Sequence, residues 1–255
     1  MTHFHVTLPS DSSVETYPEN SISRYTTKLS DRIELDDGYE VGLAEFMYPH
    51  TWFNFDNSDE MFWLGVRIDS QETRKFVFKS GYYIDGSAFA TDLNRQTARA
   101  MIDVAYLFMH VRFTFNPSTL KTTIDTNGGS CINISDEFMK FLGYPGGWPT
   151  RARTSMTASE LLDLNQGLNL IYVYCDIAAF SIVGDVKTPL WRVCNISGRD
   201  GEVIRTIFTH PQYVPLGRTE FETIEINISD ELGRPIPFMH GKCLVTLHFR
   251  PKYSF

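Results

Sequence analysis

Apolar and polar residues alternate over short stretches of this chain, and Gly, Pro, Asp and Ser separate one stretch from the next. Such period-two alternation is the mark of half-buried strands. FHVTL (4–8) opens with it, and the polar run from Pro9 to Asn20 reads as loop. RYTTKLSDRIEL (24–35) is β-branched and aromatic without helical period. Asp37-Gly38 marks a tight turn into YEVGLAEFMYPH (39–50), where Val41, Leu43 and Phe46 are expected inward. Pro49 ends that strand, because it cannot donate to a ladder. FWLGVRI (62–68) and RKFVFKSGYYI (74–84) read as strands paired around Asp69-Ser70-Gln71. In YLFMHVRFTF (106–115) the all-apolar face of Leu107, Met109, Val111, Phe113 and Phe115 is expected in the core, with Phe108, His110, Arg112 and Thr114 opposite. Asn127-Gly128-Gly129 then turns into CINIS (131–135).

Helical spacing is confined to three places. Phe89, Leu93 and Thr97, with Ala90, Ala98 and Met101, predict a helix over about 87–102, capped by Asp85 or Ser87. DEFMKFLGY (136–144) predicts a short helix with Ser135 as its cap. Thr157 and Glu160 fit a capping box opening a third over ASELLDL (158–164). From Leu170 onwards there are only strands and turns: IYVYCDI, TPLWRVCNI, EVIRTIFT, FETIEINI and CLVTLHF. Phe221, Thr223 and Ile224 cannot all share one face of a regular strand.

Many short strands with few helices predict an all-β, antiparallel β-sandwich with a few short helices in the connections. A closed barrel fits the same pattern, whereas a parallel sheet would need crossover helices between its strands. The Pro- and Gly-rich stretch 143–153 is the one place that could divide the chain. Each side alone would leave strand edges unpaired, so a single domain over 1–255 is expected. The hexapeptide INISDE occurs at 132–137 and again at 226–231. One echo does not make a repeat protein.

Composition sharpens this picture. Aromatics make up 14% of the 255 residues, which suits pleated, half-buried surfaces. The net charge of −8 and the lack of basic tracts beyond Arg74-Lys75 or Arg151 and Arg153 argue against direct nucleic-acid binding. Cys131, Cys175, Cys194 and Cys243 form no CxxC pair and are expected as buried thiols in a reducing compartment. MTHFHVTLPS lacks the features of a signal peptide, and no run reaches membrane-span length. The sequons at Asn133, Asn195 and Asn227 are therefore expected unmodified, on a protein made in the cytoplasm and not secreted.

Chemistry is sparse. His3, His5, His50, His110, His210, His240 and His248 fall into no metal-ligand spacing. His3 and His5 alternate on a strand, but no metal is expected there. No nucleophile elbow, phosphate-binding glycine loop or dinucleotide fingerprint occurs. The pairs Asp36-Asp37 and Glu222 with Glu225 read as a solvated edge, so no catalytic site and no cofactor are expected. Two aromatic–proline stretches stand out, Tyr48–Phe55 and Arg234–Met239. Aromatics and Arg are enriched in interface cores, which makes Trp52, Phe53, Phe55, Arg234 and Phe238 candidate subunit contacts. The alternative is that these loops fold over the ends of the sandwich.

Several blocks, in order, resemble the minor capsid (penton) proteins of Polinton (Maverick) elements and adintoviruses. They are LDDGYEVGLAEFMYPHTWFNF (35–55), SGYYIDGSAFATDLNRQT (80–97), LIYVYCDI (170–177), VGDVKTPLWRV (183–193), HPQYVPL (210–216), F-x-T-I-E-I-N (221–227), DELGRPIPF (230–238) and LVTLHF (244–249). The resemblance implies a single jelly roll forming homopentamers at the five-fold vertices of an icosahedral virion. A separate double jelly-roll major capsid protein would be its partner, with assembly in the host cytoplasm or nucleus. A monomeric carbohydrate- or receptor-binding sandwich, a domesticated host copy and a glycosidase with two carboxylates in one cleft are the rival readings.

Overall fold

A computed structural model describes residues 3–67, 73–102, 110–127, 132–147, 155–164 and 168–252. The expected turns at Asp69-Ser70-Gln71 and Gly128-Gly129, the strand start 106–109, Cys131, and residues 148–153 with Arg151 and Arg153 lie outside them. The chain begins with three strands: β1 (Phe4–Pro9), β2 (Arg24–Glu34) and β3 (Tyr39–Pro49). Then come β4 (Trp63–Arg67), β5 (Thr73–Val77), α1 (Gly86–Ile102), β6 (Val111–Asn116), β7 (Lys121–Thr126), β8 (Ile132–Ile134), α2 (Asp136–Phe141) and β9 (Ser155–Thr157). The last third holds β10 (Leu170–Cys175), β11 (Ser181–Val183), β12 (Val186–Thr188), β13 (Leu190–Asn195), β14 (Val203–Ile207), β15 (Tyr213–Pro215), β16 (Glu220–Ser229) and β17 (Leu244–Pro251). These elements fall into two compact units, one of residues 1–52 and 168–255, the other of residues 53–167.

The first unit is a sandwich of two antiparallel sheets. One has the order β1-β17-β3-β14, with β15 also on β3; the other is β13-β10-β16-β2. Apart from the β10 to β13 and β14 to β15 steps, successive strands of these two sheets pass from one sheet to the other, which is jelly-roll topology and not a closed barrel. The inner faces supply Leu8, Val41, Leu43, Phe46, Val245, Leu247 and Phe249 from the first sheet, and Ile171, Val173, Trp191, Ile224, Ile226 and Ile228 from the second. Each buried side chain of this size contributes about 1.5–3 kcal/mol of transfer free energy, which holds the layers together. Buried Tyr25 keeps its hydroxyl satisfied by donating to the Leu8 carbonyl oxygen at 3.0 Å.

Two bulges explain where simple alternation breaks. Along β3 the side chains that enter the core are Tyr39, Val41 and Leu43, then Phe46 and Tyr48, a change of parity. Leu247 pairs with Leu43 and Thr246 with Glu45, so Ala44 is the extra residue that resets the pleat. On β16, Phe221 opposes Ile33 while Thr223 opposes Lys28. That slip lets Phe221 and Ile224 both be buried.

The second unit has two three-stranded sheets, β5-β4-β8 and β6-β7-β9, with α1 packed on β6. Its core is aromatic: Phe55, Phe62, Phe78, Phe89, Phe113 and Phe138 are buried together. Helix α1 forms as its spacing predicts, and the Asp85 carboxylate accepts the Ala88 N–H at 2.8 Å as its cap. The Asn94 amide on the same helix bonds both the N–H and the carbonyl of Phe113, each at 2.7 Å, fixing α1 against β6. Ser135 precedes α2, but its hydroxyl makes no capping bond and accepts the Trp63 N–H instead. The helix expected over 158–164 does not form. Thr157 ends β9, the Glu160 N–H donates to Gly143 and the Leu162 N–H to Leu120, so those donors are committed elsewhere.

Candidate interaction surface

In the first unit, the loop after β3 and the loop between β16 and β17 are bound to each other. The Met239 N–H donates to the Thr51 carbonyl at 2.8 Å, and the Thr51 hydroxyl donates to the His240 carbonyl at 2.8 Å. These bonds bring two of the sequence-derived candidates together. Trp52 lies 5.8 Å from Phe238, edge to face, and stacks on His50 at 4.1 Å. Trp52 is only 4% exposed and belongs to the sandwich core, while Phe238 is half-buried against it.

Arg234 is placed by Asp230. That carboxylate accepts the N–H groups of Leu232 and Arg234 at 2.9 and 2.8 Å, and the Arg234 Nε–H at 2.6 Å. The guanidinium remains largely exposed, beside Leu232 at 71% exposure and an exposed Met239. This loop therefore exposes a cation and two apolar side chains above the hydrogen bonds of Asp230.

Phe53 and Phe55 belong to the second unit. Phe53 is exposed, whereas Phe55 is fully buried among Phe62, Phe89 and Phe141, with centroids 5.2, 5.0 and 5.3 Å away. Phe55 thus packs the core of its own unit.

Sequence reasoning missed a set of exposed apolar side chains. The β11–β12 hairpin exposes Phe180, Ile182 at 82% and Val186, and the edge strands β13 and β14 expose Val193, Val203 and Ile207. The signal was present in EVIRTIFT, where Val203, Arg205 and Ile207 alternate with Ile204 and Thr206. Both sets are strand-forming, so the pattern alone does not say which faces solvent.

On the second sheet, Tyr174, Asp176, Glu225, Asn227 and Ser229 line a shallow groove. Burial pushes the Asp176 carboxyl up, against the Glu225 backbone N–H and the Arg218 guanidinium, which pull it down. Asp176 is ion-paired with Arg218, and Glu225 with Arg24 at 2.8 Å. The two carboxylates are thus each held by an arginine. Burial raises the thiols of Cys175 and Cys243 well above their ordinary range and pushes Cys194 up to about 11, so none is a ready nucleophile. Among the described residues no cluster of His, Cys, Asp or Glu is arranged to hold a metal ion, and no helix is long and apolar enough to cross a membrane.

No protein-family model matches the sequence. No curated protein matches it either. Among solved structures, the chain is similar to the selenomethionine-labelled mavirus penton protein, with a TM-score of 0.52 and 14% identity over 98% of this chain and 100% of that one. At that identity the likeness is one of fold, and it closes the architectural question: this chain has an all-β, jelly-roll fold shared with a viral penton protein.

Proposed function

We propose that the protein is a structural virion subunit, a minor capsid (penton) protein of a Polinton-like element or virus. Five copies close a ring at each five-fold vertex of an icosahedral shell, next to a double jelly-roll major capsid protein. The observation that carries this reading is the fold similarity to the mavirus penton protein, which extends over nearly the whole of both chains. The ordered sequence blocks from 35–55 to 244–249 support it independently.

A ring of this kind needs heterologous contacts, in which one patch meets a different patch on the neighbour. The exposed apolar residues on β11–β14, and the Arg234 loop with Leu232 and Met239, have the chemistry of interface cores. Phe53 is a further contact candidate from the second unit, while Trp52 and Phe55 act beneath the surface by shaping it.

Light scattering over a range of concentration and salt tests the proposal. A species of five times the 29.2 kDa chain mass supports it. A strict monomer, even when mixed with its co-expressed major capsid protein, overturns it. In that case glycan-array binding through the Tyr174–Asn227 groove would favour a monomeric carbohydrate-binding module.

A further inference from the structure

The outward face of the first sheet carries imidazoles from both ends of the chain. His5 on β1 pairs directly with His248 on β17. Their rings stack with centroids 4.5 Å apart and planes 15° from parallel, and His3 also stacks on His248 at 5.5 Å. Rings stacked this way point their nitrogen lone pairs in parallel planes, which does not suit a shared metal ion. The Tyr213 hydroxyl, from β15, lies 2.7 Å from His248 Nδ1. Its ring packs over Gly42, the β3 residue opposite His248, where a Cβ would meet it at 3.0 Å.

The charges around the stack are one-sided. The Arg250 guanidinium lies over the Tyr213 ring, 3.4 Å from its centroid. Glu40 of β3 is occupied by Arg250, whose Nε–H donates to it at 2.6 Å. Glu45, the next carboxylate of β3 on this face, is ion-paired with Arg205 of β14. On β1 and β17 the neighbours are the hydroxyls of Thr7 and Thr246, 3.3 Å apart. A proton added to any of the three imidazoles therefore meets a fixed cation and two carboxylates that are already paired. Burial pushes the His248 ring below its ordinary value, and His5, His3 and Arg250 push it further.

We propose that the His3–His5–His248 stack is an acid-sensitive clasp, which holds β1 on β17 when neutral and releases it when protonated. Strand β1 is the element that yields, because it lies at the sheet edge with β17 as its one strand partner among the described residues. The sign follows from the depressed affinity for protons. Because the attached state holds the His248 imidazole below its ordinary value, attachment is full above that ordinary value. Attachment is lost as pH falls through the lower value of the attached state. Leu8 is fully buried at the far end of β1, so release begins at the histidine end, where it must also part Phe4 from Phe249, stacked at 4.7 Å, and works toward Leu8. The freed edge of β17 is then open to another strand. This clasp does not depend on the virion reading.

The test is hydrogen exchange of the full chain at about pH 7.5 and about pH 5.5, corrected with an unstructured peptide. The wild-type segment 4–8 should lose protection at the lower pH, while β10 and β16 keep theirs. The double variant His5→Gln with His248→Gln should keep its protection at both. Unchanged protection in the wild type, or an equal loss in the variant, overturns the proposal. Should the double variant not fold, His5→Gln alone is compared, and a loss as large as wild type overturns it equally.

Discussion

The indole of Trp52 meets the ring of Phe238 edge-on, with centroids 5.8 Å apart and planes 70° from parallel. One ring is buried and the other half-exposed, so their replacement separates folding from surface chemistry. Trp52→Ala is expected to destabilise the first unit by about 3–5 kcal/mol, as large core truncations do. Phe238→Ala should cost less and leave a folded chain in which assembly can be assayed. Urea denaturation of both singles and the double should show a coupling of about 0.5–1.5 kcal/mol. A Trp52→Ala chain as stable as wild type would remove Trp52 from the core.

Ile182 on the β11–β12 hairpin and Ile207 on the edge strand β14 both point into solvent. Ile182→Lys and Ile207→Lys should each leave stability within about 0.5 kcal/mol of wild type, as exposed substitutions do. If these residues meet a neighbouring subunit, either change lowers the yield of the five-chain species in light scattering. Full assembly by both variants would direct attention to the Arg234 loop instead.

Gly143, after α2, has φ +91°, and a Cβ there would sit 2.5 Å from the Glu160 carbonyl oxygen. Gly143→Ala must strain the backbone and displace main chain, so a destabilisation of about 1–3 kcal/mol is expected. Gly146, which has open space around its Cβ position, is the control. The melting temperatures of Gly143→Ala and Gly146→Ala should differ accordingly; equal values would contradict the close approach.

Native-state alkylation at mildly alkaline pH, mapped by mass spectrometry, should spare Cys175, Cys194 and Cys243. Burial disfavours the thiolate at all three, the nucleophilic form. All three should label fully once the chain is unfolded. Rapid labelling of Cys243 in the native protein would show that β17 opens locally.

Much of the sandwich was legible because its strands obey period two, and Val41, Leu43 and Phe46 are buried as expected; what the pattern does not carry is the cross-strand pairing that makes this possible. Ala44 changes the parity of β3, and the slip after Phe221 does the same on β16; neither leaves a mark in composition. The third helix failed for a reason of the same kind. Thr157 and Glu160 have capping-box spacing, yet the partners of their segment, Leu120 and Gly143, lie far away in sequence. The two-unit division was hidden too: the aromatic run Trp52-Phe53-Asn54-Phe55 crosses its first border without a Gly or Pro. INISDE shows how little a local string decides, since one copy leads into α2 and the other into the Asp230 loop. The meeting of the interface candidates Trp52 and Phe238, and the pairing of His5 with His248, both join segments far apart in sequence, which no local pattern carries.

The pairing of β1 with β17 also sets a timetable for synthesis. Among the described residues every strand partner of the second unit lies within residues 53–167, so that unit can fold while the ribosome is still translating the rest. The first sheet must wait for Leu244–Pro251 to leave the exit tunnel before β1 and β3 gain the strand that lies between them. Until then the nascent chain displays two unjoined sheet edges, the condition in which chaperones are most needed.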